Sequence, residues 1–344
     1  MLLPPKARPG DRVAVLSPAF AAPAVSVPVH EQALRRLEEL TGLIPVEFPT
    51  TRMLGASAEA RAADVNEAFA DPSIRAIIAT IGGDDQILVT PHLDAGATLA
   101  DPKPFLGYSD NTNILNWLWR NGIAGFYGGS TQVHLGPGPA VDPIHARSLR
   151  AALLDGGQLE LDEPGESEDF GVRWEDPAAL VRFGDREPTD PWTWAGPAAH
   201  RAGPTWGGCV EVLCQLALAD RFPRAELLDD TILLLETSER LTPASAVAEQ
   251  LRAYGERGLL ERVAGVVVAR PPASTHEVIP EAGERRRIRA EQRDAVLAAM
   301  ERYNPDAVVC IGVPFGHTRP QWIVPYGGAV ALDGAARRVV ADYA

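Results

Sequence analysis

Cysteine is scarce in this chain of 344 residues: three stand at 209, 214 and 310, an odd number with no Cys-x-x-Cys spacing. That count speaks against a disulfide framework and against thiolate metal or redox motifs, and it leaves the three as small buried hydrophobes. Long apolar runs are missing as well. Nothing approaches the ~18 consecutive apolar residues of a membrane-crossing helix. The opening MLLPPKARPGDRVAVLSPAF has prolines and charges where a secretory signal would carry its apolar core, so the expected compartment is the cytoplasm. Positive charge is in the minority, with 32 Lys and Arg against 46 Asp and Glu and a net charge of −14. A nucleic-acid polymer or an anionic membrane surface is therefore not an expected partner, although a small substrate's site can carry the opposite local sign. No Gly-x-Gly-x-x-Gly follows a strand, and there is no Walker loop and no His-Glu-x-x-His pattern. The stretch GPGPAVDP (136–143) is loop-like, because its prolines would break a phosphate-cradling turn. Acidic pairs such as Asp84-Asp85 are too little to define a metal centre, so no metal and no cofactor is expected. Internal repeats and low-complexity tracts are absent.

What is present is ordinary globular composition, 46% hydrophobic and 23% charged, at a length that suggests two domains or one large domain with an appendage. RVAVLSPA (12–19) reads as a short apolar strand. VHEQALRRLEELTG (29–42) places Ala33, Leu34, Leu37 and Leu40 on one helical face and stops at a glycine. SAEARAADVNEAFADP (57–72) reads as a helix behind a capping serine, IRAIIATIGG (74–83) as a continuous apolar strand, FLGYS as another strand and NTNILNWLWRNG as another helix. Such alternation implies parallel strands with helical crossovers. Residues 161–206 break the pattern, being rich in Pro, Gly and charge and carrying Trp174, Trp192, Trp194 and Trp206. A merely solvated linker has little use for tryptophan, so a long functional loop or domain connection is expected. Beyond it, GGCVEVLCQLALA looks helical, TILLLETSE (231–239) is a strand ending at Glu236, and AGVVVARP (264–271) is a further strand. DAVVCIGVPFGHTRPQ (306–321) is a strand running out into a loop with His317. The expected architecture is α/β. An N-terminal open, mostly parallel sheet with flanking helices (residues 1–160) is followed by the Trp-bearing connection (161–206) and a β-rich α/β C-terminal domain (207–344).

Open α/β sheets bind ligands beyond the carboxyl ends of their strands. Gly82-Gly83-Asp84-Asp85, Ser109, Glu236 and His317 all stand at such ends. Ser109, behind Gly107-Tyr108, has two readings: a cap for the helix that follows, or a nucleophile raised on a strand-to-helix turn. Acyl transfer needs a base for a weak hydroxyl nucleophile, an acceptor to orient that base, and backbone N–H donors for the oxyanion. His317, Glu236 and the amides of Asp110 and Gly83 would supply them. The plainer alternatives are an exposed loop histidine and a Glu236–Arg240 pair.

The blocks GDRVAVLSPA, EARAADVNEAFADPSIRAIIATIGGDDQ, PKPFLGYSDNT, LLLETSE, AGVVVARP and VPFGHTRPQWIVPYGGAVALD, in this order, resemble the serine LD-carboxypeptidase family, which includes muropeptide-recycling enzymes and microcin C immunity proteins. The resemblance implies a triad of Ser109 as nucleophile, Glu236 as acid and His317 as base. It implies an oxyanion hole from the backbone of Gly83 and Asp110, and a site closed across two domains, usually in a homodimer. GGDDQ, LETSER and the long Trp-bearing insert look nearer to the microcin C immunity branch. There, loop tryptophans stack on the adenine of an aminoacyl-nucleotide, which makes Trp192 and Trp194 the candidates, with Trp174 and Trp206 behind them. The competing reading has these rings anchoring the loop. Arg240 matches a basic position near the substrate carboxylate. One departure is Gly128-Gly129 in GFYGGSTQVH, where many members have His-Gly-Pro. The resemblance thus implies a serine carboxypeptidase or amidase acting on a small peptidyl- or aminoacyl-nucleotide. The alternatives are an LD-carboxypeptidase removing terminal D-alanine from muropeptides and, in another class, a non-catalytic small-peptide binder.

Overall fold

The structure is a computed structural model describing residues 1–344. Its first half alternates strand and helix: β1 (Arg12–Leu16), α1 (Val27–Thr41), β2 (Ile44–Glu47), α2 (Ala58–Ala70), β3 (Ile74–Ala79), α3 (Ala95–Ala100), β4 (Phe105–Gly107), α4 (Thr112–Arg120), β5 (Gly125–Tyr127) and α5 (Pro143–Arg150), of which β2, α3, β5 and α5 are additions to the elements read from the sequence. Local chemistry sets the boundaries. The Ser57 hydroxyl accepts from Ala60 N to cap α2, and Gly42, at φ +70°, ends α1 in the left-handed conformation that glycine adopts without a Cβ penalty. The second half adds β6 (Gln158–Glu160), the short pair β7 (Glu166–Ser167) and β8 (Glu187–Pro188), β9 (Thr193–Ala195), β10 (His200–Cys209), α6 (Val210–Leu218), β11 (Ile232–Glu236), α7 (Ala244–Glu256), β12 (Gly265–Ala269), α8 (Ala282–Tyr303), β13 (Val308–Val313), β14 (Val324–Tyr326), β15 (Ala329–Asp333) and β16 (Arg338–Asp342). No helix is long and apolar enough to cross a membrane.

Two sheets organise the chain. The first has six strands in the order β14-β5-β4-β3-β1-β2, parallel from β5 to β2. The second has eight in the order β6-β16-β15-β10-β11-β12-β13-β9, with a parallel centre from β10 to β13 and antiparallel flanks. This is the expected pair of α/β domains, but the segments do not divide where the sequence suggested. β6, inside the expected N-terminal domain, pairs with β16 of the second sheet. β14, from the C-terminal region, pairs antiparallel with β5 and completes the first. The presumed connection after residue 161 already contains β9 and most of β10.

Gly207-Gly208-Cys209 is also strand rather than the start of a helix. Gly207 and Gly208 adopt φ +136° and +123°, and a Cβ on Gly208 would stand 2.8 Å from both Thr112 Cγ2 and Tyr127 Cε2. Only glycine lets β10 approach α4 and β5 this closely. Trp119 Nε1 donates to Thr205 O at 3.2 Å, Trp206 Nε1 to Asn116 Oδ1 at 3.1 Å and Tyr326 Oη to Gly207 O at 3.0 Å, fastening the same seam. One hydrophobic cluster runs through it, from Val15 and Ile78 of the first sheet to Leu234 and Val267 of the second.

Candidate active site

The seam brings the carboxyl ends of β3, β4, β5 and β11 together. Past β4, Tyr108 is extended and Ser109 turns to φ +62°, a conformation costing an L residue roughly 1–2 kcal/mol. Of the two roles open to Ser109, capping is not realised, because no helix-capping N–H donates to its side-chain oxygen. The turn is clamped instead. Ser109 N donates to Tyr127 Oη at 3.3 Å, while the Asp110 carboxylate accepts from Gln86 N and Asn113 Nδ2, both at 2.9 Å. Burial raises the Asp110 carboxyl to about 6 in spite of those donors. The Gly82-Gly83 turn presses against this elbow: a Cβ on Gly82 would lie 2.8 Å from Ser109 Cβ and 3.1 Å from Asp110 N. Behind it Arg61 grips Asp85 bidentately at 2.7 and 2.8 Å and also donates to Ala19 O, so Asp85 is taken up in fixing the loop.

Glu236, at the end of β11, is buried. Its Oε1 accepts from Tyr127 Oη at 2.6 Å and its Oε2 from His317 Nδ1 at 2.5 Å. Burial and the Glu236 charge lift the Tyr127 phenol well above its ordinary range, so it remains a donor. Burial alone would pull the His317 imidazole down. Glu236, with Glu239 and Glu211 behind it, outweighs that effect and pushes it up to about 9. His317 Nε2 faces Glu239 Oε2 at 3.2 Å, and the ring edge of Tyr108 packs on the imidazole with centroids 5.0 Å apart.

Ser109 opens into two adjoining chambers. One is lined by Gly83, Asp110, Cys209, Glu211 and Arg240; the other also contains His317 and is walled by Tyr108, Phe170, Trp174 and His276. Phe20 and Glu239 border both. Ser109, Gly83, Asp110, His317 and Arg240 thus meet at one cleft, with Glu236 directly behind His317. Trp192 and Trp194 do not reach it. They flank and occupy β9 at the edge of the second sheet, where the Trp192 ring lies over Gly312, Trp194 pairs with Cys310, and both pack on the core. Trp206 is core, and Trp174 is the tryptophan at the cleft. Its carbonyl accepts from Ser26 Oγ at 3.0 Å. The Phe170–Trp174 segment is held on the other side by Asp169, which takes Arg270 and Arg289 at 2.8 Å each.

Sequence reasoning missed Tyr127, Arg61, Phe170, His276 and Glu239. Tyr127 was within its reach, since it ends a parallel strand as Glu236 does. The others become visible only once distant segments are brought together.

The N-terminal domain of the LD-carboxypeptidase family matches residues 13–128, and the C-terminal domain of that family matches residues 202–332. The chain belongs to the LD-carboxypeptidase family. Over 277 residues it is 26% identical to the microcin C7 self-immunity protein MccF of Escherichia coli, covering 79% of this chain and 75% of that protein. Over 155 residues it is 30% identical to the murein tetrapeptide carboxypeptidase of Pseudomonas aeruginosa, covering 43% and 48%. The fold is that of MccF in complex with aspartyl sulfamoyl adenosine, with TM-score 0.84, 20% identity and coverage of 99% and 98%. An MccF-like protein from Streptococcus pneumoniae in complex with AMP gives TM-score 0.82 at 22% identity, covering 97% and 99%.

Proposed function

We propose that this member of the family is a serine carboxypeptidase or amidase that cleaves an amide bond in a peptidyl- or aminoacyl-nucleotide, a detoxifying reaction of the microcin C immunity type. The observation that carries the chemistry is Ser109, held at φ +62° against the Gly82-Gly83 turn, in one cavity with a His317 whose Nδ1 is fixed by Glu236. In this reading Ser109 Oγ attacks the carbonyl carbon and passes its proton to His317 Nε2, while Gly83 and Asp110 N–H groups receive the oxyanion. Collapse expels the amine, which takes the proton from His317. Water, activated by the same imidazole, then hydrolyses the ester on Ser109.

Support for a nucleotide comes from the wall of Phe170, Trp174 and His276 beside Ser109, since an aromatic face stacks on a base for about 1–3 kcal/mol. The relatives bound to aspartyl sulfamoyl adenosine and to AMP point the same way. Trp174 takes the stacking role first given to Trp192 and Trp194. Arg240, whose guanidinium makes no ion pair within the chain, is offered for a substrate carboxylate, which it can grip bidentately.

Mass-spectrometric hydrolysis assays of wild type and Ser109→Ala on aspartyl sulfamoyl adenosine and on a tetrapeptide ending in D-alanine test the reading. Cleavage of the nucleotide conjugate alone, lost in the variant, is expected. Cleavage of the tetrapeptide alone would make this a cell-wall recycling enzyme, and full activity of Ser109→Ala would remove the serine from the mechanism. Binding of either compound without turnover would favour a small-peptide binder.

A further inference from the structure

His317 has a carboxylate at each ring nitrogen, and the two differ in kind. Glu236, at Nδ1, is buried on β11 and pinned by Tyr127. Glu239, at Nε2, stands three residues on in the turn that follows; its side chain is 66% exposed and His317 is its only ion-pair partner. A general base must present an unprotonated Nε2 to the serine hydroxyl, yet here Nε2 lies 3.2 Å from the Glu239 carboxylate, an ion-pair contact not aligned as a hydrogen bond, and Ser109 Oγ makes no hydrogen bond to the imidazole. Glu239 also borders both of the chambers that share Ser109.

Building on the assignment of Ser109 and His317 as nucleophile and base, we propose that Glu239 is a clasp: it holds His317 Nε2 away from Ser109 while the cleft is free of substrate and swings outward when substrate spans the two chambers. Glu239 is then a positioning residue that acts through the imidazole. Its exposure and lack of other anchors leave it free to turn outward, whereas the remaining groups facing His317 are fixed. Glu236 is held by Tyr127, Glu211 by Ser238, Thr242 and Cys209, and Arg319 by Asp142. Tyr108 packs against the ring, and burial keeps the nearby His134 neutral. The clasped imidazole, pushed up to about 9, is charged at neutral pH, as an ion pair with Glu239 requires.

The test compares wild type with Glu239→Gln, which keeps the shape and removes the charge. NMR titration of the His317 ring reads the pairing without any substrate. Labelling of Ser109 by diisopropyl fluorophosphate as a function of pH reads release of the base. In Glu239→Gln the His317 midpoint is expected to fall, and labelling at pH 7 to quicken about tenfold for each pH unit of that fall. An unchanged midpoint overturns the clasp. So does a lowered midpoint with no faster labelling, which would make Glu239 a neighbouring charge only. If the reagent labels Ser109 in neither protein, the serine mechanism itself fails, and the titration still decides whether Glu239 holds His317.

Discussion

Ser109 occupies backbone territory where glycine would be at ease. Its φ of +62° is held by the clamp of Gly82, Tyr127 and Asp110. Ser109→Gly relieves the crowding of Cβ, which Ser109→Ala keeps. In denaturant melts the glycine variant is therefore expected to be the more stable of the two by about 1 kcal/mol, while both lose roughly 10⁴-fold or more in kcat. His317 adds a pH signature. Its folded value of about 9 lies above the ordinary 6.5, so folding favours the imidazolium. That contribution to stability is complete below pH 6.5 and is lost as pH rises through about 9. In the proposed mechanism His317 acts as a base and must be neutral, so kcat/KM is expected to climb over the window in which the urea midpoint declines. Glu236→Gln, which removes the charge sustaining the imidazolium, should flatten the fall in stability.

At the scale of elements, the tryptophans divide between the cleft and the packed interior. Trp174 rides on a segment tied to α1 through Ser26 and to the second domain through Asp169, and it faces the cleft. Trp174→Ala is expected to raise KM for a nucleotide conjugate about tenfold, the loss of ~1.4 kcal/mol of stacking, with little change in melting temperature. Trp192→Ala, which strips a ring from Gly312 and the core, should instead cost about 1–3 kcal/mol of stability and leave KM unchanged. The sequence could not sort these rings. All four lie in a stretch without periodicity, and the difference between them is set by partners more than 100 residues away, Gly312 for Trp192 and His276 beside Trp174. β1, β3, α1, α2 and β11 were legible because their apolar spacing is local. So was the position of Ser109, Glu236 and His317, since each stands at or just past the end of an apolar strand. Gly207-Gly208 misled because the run after them is helical, and the need for a Cβ-free approach to Thr112 and Tyr127 leaves no local trace.

The whole molecule is interlocked. β6 and β14 each complete the sheet of the opposite half, and the hydrophobic cluster is continuous across the seam. Domains that share a core and exchange strands should unfold together. Urea denaturation followed by tryptophan fluorescence and by far-ultraviolet circular dichroism is expected to give one coincident transition. A fragment of residues 1–160, lacking β14 and leaving β6 unpaired, should be open to protease throughout. Separate transitions for the two probes would show that the seam contributes little. Three-residue strands such as β5 and β14 carry too few side chains to announce their pairing, which explains why the exchange was not legible.

The loop bearing His317 leaves the second sheet at β13 and enters the first at β14, so this histidine hangs from both halves like a cable between two towers. Recombination with relatives inherits this constraint. A chimera joined after residue 206 receives a foreign edge for its first sheet together with its new histidine, and one joined between β13 and β14 parts the histidine's loop from one of its anchors. Working hybrids should therefore be those in which β5 and β14 share one ancestry.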